Sequence, residues 1–207
     1  MPPATLAEAN ALSAAAWANA AVFLALVPSF VAHLLDSHDL AVTGASAGLL
    51  LSAAAVQPAA SRLTPHQARQ GGLTLLVAGC LLLLAASLHP GLALVLVAVV
   101  VSGTGQGLMF GYSMSRASAI AEHRQGRTWA IFYTVTYLAE AVPTIGIGFL
   151  ANHIGLIGAV RVFLVAAVAS CAVLRCVLAR RSRHLGHRQF SSSPHLQSSG
   201  WKRPVKP

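Results

Sequence analysis

The chain has 207 residues, of which 56% are hydrophobic and only 9% charged, and its formal net charge is +9. A soluble domain carries about a quarter charged residues, so this balance excludes an ordinary water-soluble fold and predicts an integral membrane protein. Cys80, Cys171 and Cys176 all lie inside apolar runs without paired-ligand spacing, which argues against both a disulfide framework and a zinc site.

Residues 1–12 form a short leading segment with no Lys or Arg, the first basic residue being Arg62. Without a positive n-region this Ala-rich start is not expected to be a cleaved signal peptide. About 20 apolar residues span a bilayer, and residues 13–179 hold six such runs, at 13–35, 41–60, 71–88, 91–114, 129–152 and 155–179. Their length and continuity exceed any strand and predict an all-α membrane domain of six transmembrane helices.

In the first run, Asn19, Phe23, Phe30 and His33 fall near one helical face. His33, beside Asp36, is either part of a pH-sensitive gate or a side chain at the water boundary. A metal set of His33, Asp36, His38 and Asp39 is the weaker alternative. Pro28 here, like Pro143 in the fifth run, lacks the amide hydrogen of an internal helix bond and marks a static kink or a hinge. The second run carries Gln57, and the loop after it carries Arg62 and Arg69. The third is almost uniformly aliphatic and can face lipid all round.

A tight turn at His89-Pro90 leads to the fourth run, where Gly103, Gly107 and Gly111 recur at every fourth position and let another helix approach closely. No strand precedes Gly103-x-Gly105-x-Gly107, so it is not a nucleotide loop. Gln106 lies one residue short of that face and either donates to a substrate or bonds to a neighbouring helix. The loop at 115–128 brings Arg116, Arg124 and Arg127; Arg124 and Arg127, beside Glu122, either pair with that acid or with lipid phosphates, or simply fix orientation.

Glu140 is the one carboxylate in the fifth run, and acids at such depth are costly and usually functional. Tyr133, Tyr137, Glu140 and Thr144 follow at spacings of four, three and four, forming one stripe. That stripe is expected to line a cavity, with Glu140 as proton-coupling group or counter-charge to a cationic substrate; the alternative is a structural Glu140 paired with a neighbouring helix. The sixth run has no charge or amide between Arg161 and Arg175 and can also face lipid. Lys and Arg gather in the second and fourth loops and in the tail, which predicts a multi-pass plasma-membrane protein with both termini cytoplasmic. Residues 180–207 read as a disordered basic tail drawn to the anionic inner leaflet; no domain frames those charges for nucleic acid.

Polar groups therefore mark the first, second, fourth and fifth helices, and the third and sixth are greasy. With Val27-Pro28-Ser29-Phe30, Gly103-Thr104-Gly105-Gln106-Gly107-Leu108, the loop from Glu122 to Arg127, and Pro143 with Gly148, Asn152 and Gly155, this order resembles the carboxyl-terminal half of a major facilitator superfamily transporter. The likeness runs over about residues 13–179 and implies two three-helix repeats, peripheral third and sixth helices, and alternating access against a second six-helix half. Ser61-Arg62 stands where the superfamily's signature loop has Asp-Arg, so that gate's usual charge pairing is absent.

Together the resemblance and the residues predict a proton-coupled carrier of a small molecule without cofactor or metal; the residue reading makes Glu140 its central group, with Tyr133, Tyr137, Thr144 and Asn19 as further site residues and Gln106 as donor. One half alone implies self-pairing, a separate partner chain or a truncated reading frame. The alternative is a non-transporting membrane subunit or remnant whose polar residues hold helices together. No Ser-His-Asp order, HExxH or paired deep carboxylates occur, so an enzyme is not expected.

Overall fold

A computed structural model of the protein describes residues 5–35, 40–60, 62–121 and 125–191, among which there is no strand. The residues Asp36, His38, Asp39, Ser61, Glu122 and Arg124, and the side chains of Phe30 and His33, lie outside what is described. Six helices follow in order: α1 (Leu6–Leu35), α2 (Leu40–Ala60), α3 (Pro65–Leu88), α4 (Leu92–Ala121), α5 (Gln125–Ile154) and α6 (Leu156–Ser191). In five of them an apolar stretch is long enough to cross a membrane, and α2 adds a shorter one, Ser46–Ala60.

The helices outrun the apolar runs. Hydropathy marks where side chains become polar, whereas a helix already nucleated propagates cheaply through Ser, Arg, Ala and Gln. The expected loop at 115–128 is thus largely helical: Arg116 lies on α4 and Arg127 in the first turn of α5, while Arg62 does lie in the turn between α2 and α3. Likewise α6 continues past 179 into the basic segment. Local chemistry sets two of the other ends. Thr64 caps α3 in a capping box with Gln67, with Pro65 opening the helix, and Gly155, at φ +77°, takes the left-handed conformation that separates α5 from α6.

α4 sits at the centre and packs most extensively on α3, then on α2 and α1. The α3 interface corrects the expectation that the third helix faces lipid all round. Gly72, Leu76, Gly79, Leu83 and Ala86 are buried at alternating steps of four and three, the seam of a left-handed helix pair. A methyl group at Gly79 would stand 2.7 Å from Ser102 Cβ, and one at Gly105 would stand 2.8 Å from the Leu76 nitrogen. On its other side α4 presents Gly103 and Gly107 to α2, where added carbons would strike the carbonyl oxygens of Leu49 and Ala53. Gly111 meets nothing within 4 Å, so the expected three-glycine contact ends at Gly107.

Buried polar groups stitch the same centre. The Asn19 amide of α1 donates to Ser102 Oγ at 2.6 Å and its oxygen accepts from the Cys80 thiol at 2.8 Å, joining α1, α4 and α3. Ser13 and Thr136 share a hydroxyl bond of 2.7 Å between α1 and α5. At the periphery Arg161 of α6 donates to the Ser87 carbonyl at the end of α3, 2.7 Å away, and Arg175 reaches Thr74 at 3.2 Å; α3 and α6 therefore run antiparallel. The successive contacts of Gly103 with Leu49 and Gly107 with Ala53 make α2 parallel to α4, and Ser13 on Thr136, followed by Asn19 and Val22 beside Pro143, makes α1 parallel to α5.

Gly107→Leu is expected to force α2 off α4 and cost about 1–3 kcal/mol, as overpacking typically does, whereas Gly111→Ala, with open space around it, is expected to stabilise by about 0.4–1 kcal/mol. Thermal unfolding of the two variants in mild detergent measures the difference.

Candidate functional site

Only 11% of the α5 apolar span is buried, against 56% for α4, so α5 decides what the bundle presents outward. At 100° per residue Tyr133, Tyr137, Glu140 and Thr144 lie within roughly 60° of one another. Leu138, Val142, Ile145 and Phe149, all exposed, centre roughly 140° away around the helix. The buried Thr128, Phe132, Thr136 and Ile147 form the third face, which packs inward. The polar stripe is thus separate from both the packed face and the aliphatic face, and borders the former.

From that border an aromatic chain runs into the bundle. Tyr137 stacks on Tyr133 at 6.2 Å between centroids, and Tyr133 on Trp129 at 5.7 Å. Trp129 meets Phe132 edge-on at 5.8 Å, Phe132 approaches Phe110 of α4 at 6.3 Å, and Phe110 meets Trp17 of α1 edge-on at 5.5 Å. Such geometries are favourable for ring quadrupoles and link exposed Tyr137 to half-buried Trp17 through consecutive ring contacts, with Phe132 fully buried between them.

Three buried polar atoms without a hydrogen-bond partner among the described residues sit on the helical faces that carry the inner end of this chain: Asn10 Oδ1, Trp17 Nε1 and Gln106 Oε1. Asn10 is two turns before Trp17, and Gln106 one turn before Phe110. Leaving such groups unpaired costs about 1–3 kcal/mol each. At the outer end the half-buried Glu140 has no ion pair among the described residues, where the one salt bridge joins Arg69 to Glu8 at 3.2 Å. Thr144 donates to the backbone carbonyl of Glu140 at 2.9 Å rather than to its carboxylate.

The stripe of Tyr133, Tyr137, Glu140 and Thr144 is therefore one surface, and Gln106 lies deeper, on α4. Asn19 belongs elsewhere: both ends of its amide are engaged in the core, where it and Pro143 border a small cavity of about 180 Å³ between α1, α5 and α6. Pro28 lies inside an unbroken α1. Arg62 and Arg127 are exposed at the end of the bundle where α2 finishes and α5 begins. Trp17, Phe110, Trp129 and Phe132 escaped the reading of residue types; Trp129 and Phe132 do precede Tyr133 at helical spacing, but contacts across three helices leave no local pattern.

No protein-family model, curated protein or solved structure matches this chain.

If the polar stripe borders water, Tyr137→Cys will react with a membrane-impermeant maleimide above the background of the native thiols. Ile145→Cys, on the aliphatic face, and buried Phe132→Cys will not. Mass spectrometry of labelled membranes scores each site.

Proposed function

We propose that this chain is one six-helix half of a secondary transporter of the major facilitator type, moving a small molecule across the plasma membrane by proton-coupled alternating access. The observation that carries this reading is the separation of faces on α5. An ionised side chain at the bilayer centre costs about 2.5–3.5 kcal/mol even on permissive scales, so Glu140 fits an aqueous passage or an interface better than the lipid that suits Leu138, Val142 and Ile145.

The helix arrangement also supports it. Exchanging α1–α3 with α4–α6 carries the parallel pair α2/α4 onto α5/α1 and returns α3/α6 to itself, the relation expected of two inverted three-helix repeats. In this proposal all six helices span the membrane with both termini cytoplasmic. A second half, another copy or a separate chain, faces the open side of α5 and closes the passage.

Glu140 takes up and releases the coupling proton, or holds a cationic substrate as counter-charge. The Tyr133 and Tyr137 rings shape the site and add a cation–π surface, and Gln106 offers its amide to a substrate that reaches the inner end. A second reading is a membrane subunit that transports nothing. Its support is that Asn19, Ser13 and Thr136 spend their polar groups on helix packing.

The deciding experiment is gradient-driven flux of a substrate panel in sealed vesicles, comparing the chain with Glu140→Gln at matched insertion. Flux that depends on the proton gradient and falls to background in the variant supports the transporter. Absence of flux in both, with insertion verified, favours the subunit.

A further inference from the structure

α2 and α3 are joined by a short turn yet hardly touch, because each docks on α4 instead. At the end of the bundle where that turn lies, the gap between them is a cavity of about 540 Å³, within the size range of small-molecule sites. One wall is carbon: Ala60 of α2, Leu63 of the turn, Ala68 of α3 and Met114 of α4. The polar wall is Gln57, Tyr112, Ser115, Ser118 and, as the one cation among the described lining residues, Arg116.

Arg116 is held rather than loose. Its Nε donates to the Tyr112 hydroxyl at 3.2 Å, and its guanidinium lies 5.5 Å from the Tyr112 ring centroid. The rest of its fork has no hydrogen-bond or carboxylate partner among the described residues. A half-buried guanidinium without a counter-ion, fixed at the mouth of an apolar gap, suits a bidentate anionic oxygen group. Arg62 and Arg127 lie at this same end, so it is the end expected to meet the anionic leaflet, and basic pockets between helices there are suited to anionic headgroups.

We propose that the cavity between α2, α3 and α4 binds one anionic phospholipid, its phosphate on Arg116 and its acyl chain along Ala60, Leu63, Ala68 and Met114. The proposal is independent of whether the chain transports. The carbon lining selects a lipid over a soluble phosphate, since a free anion leaves that wall unused. Gly111 borders the cavity with open space where a side chain would grow, which permits a variant that fills the site and keeps the charge.

The test is native mass spectrometry of the full chain in mild detergent, titrated with phosphatidylglycerol or phosphatidylcholine. Phosphatidylglycerol is expected to give a single saturable adduct, weakened about tenfold, the loss of one charge-assisted contact, in Arg116→Gln. Gly111→Leu is expected to weaken it similarly without loss of charge, and Arg62→Gln, outside the cavity, to leave it unchanged. Equal retention of the two lipids, or undiminished binding by both Arg116→Gln and Gly111→Leu, overturns the proposal. So does displacement of phosphatidylglycerol by an equal concentration of glycerol 3-phosphate, which would make the ligand a soluble anion.

Discussion

The close approach of α2 and α3 to opposite sides of α4 is the constraint on which this architecture rests. Helices surrounded by apolar solvent gain little from burying apolar surface, so association depends on van der Waals contact at short range and on a few interhelical hydrogen bonds. α4 supplies both. Gly103 and Gly107 bring the α2 backbone against one face, and Gly105 with Ser102 brings α3 against another. Ser102 then turns the small-residue contact into a polar junction by accepting from Asn19, tying α1 to the same point. Among the described residues nothing comparable covers α5, whose contacts are chiefly with α1, so these residues enclose α4 and leave much of α5 exposed.

That asymmetry is also what separates the polar residues by role. Asn19, Ser13 and Thr136 sit where helices meet and are consumed there. Glu140 is half-buried without an ion pair among the described residues, and Tyr133 and Tyr137 are exposed. Residue type alone does not distinguish the two groups; coverage by neighbours does. The aromatic chain through Phe132 and Phe110 to Trp17 connects the two environments by direct ring contacts.

Much of the fold was legible because apolar length and breaks are local. The turn at His89-Pro90 and the helical stripe on α5 follow from neighbouring residues alone. What escaped was packing specificity. The α3 run looks uniformly aliphatic, yet Gly72 and Gly79, seven apart, carry the most extensive helix contact among the described residues, and their significance depends on Ser102 and Gly105 from another helix. Gly111 fails in the opposite sense: it continues the fourfold glycine spacing but extends past the point where α2 and α4 touch. Likewise Asn19 and Glu140 both read as intramembrane polar groups, and only the positions of Ser102 and Cys80 reveal that the first is already satisfied.

The near absence of contact between α2 and α3 carries a consequence for how the chain is made. These helices are synthesised one after the other and joined by a short turn, but the surface each needs is on α4, which emerges later. Until then Gly72, Gly79 and the backbone around Leu49 and Ala53 have no native counterpart, and Asn19 lacks Ser102. Arrival of the fourth helix gives α1, α2 and α3 their common partner in one step, so assembly is expected to be abrupt and tied to biosynthetic timing rather than to gradual growth from the amino terminus.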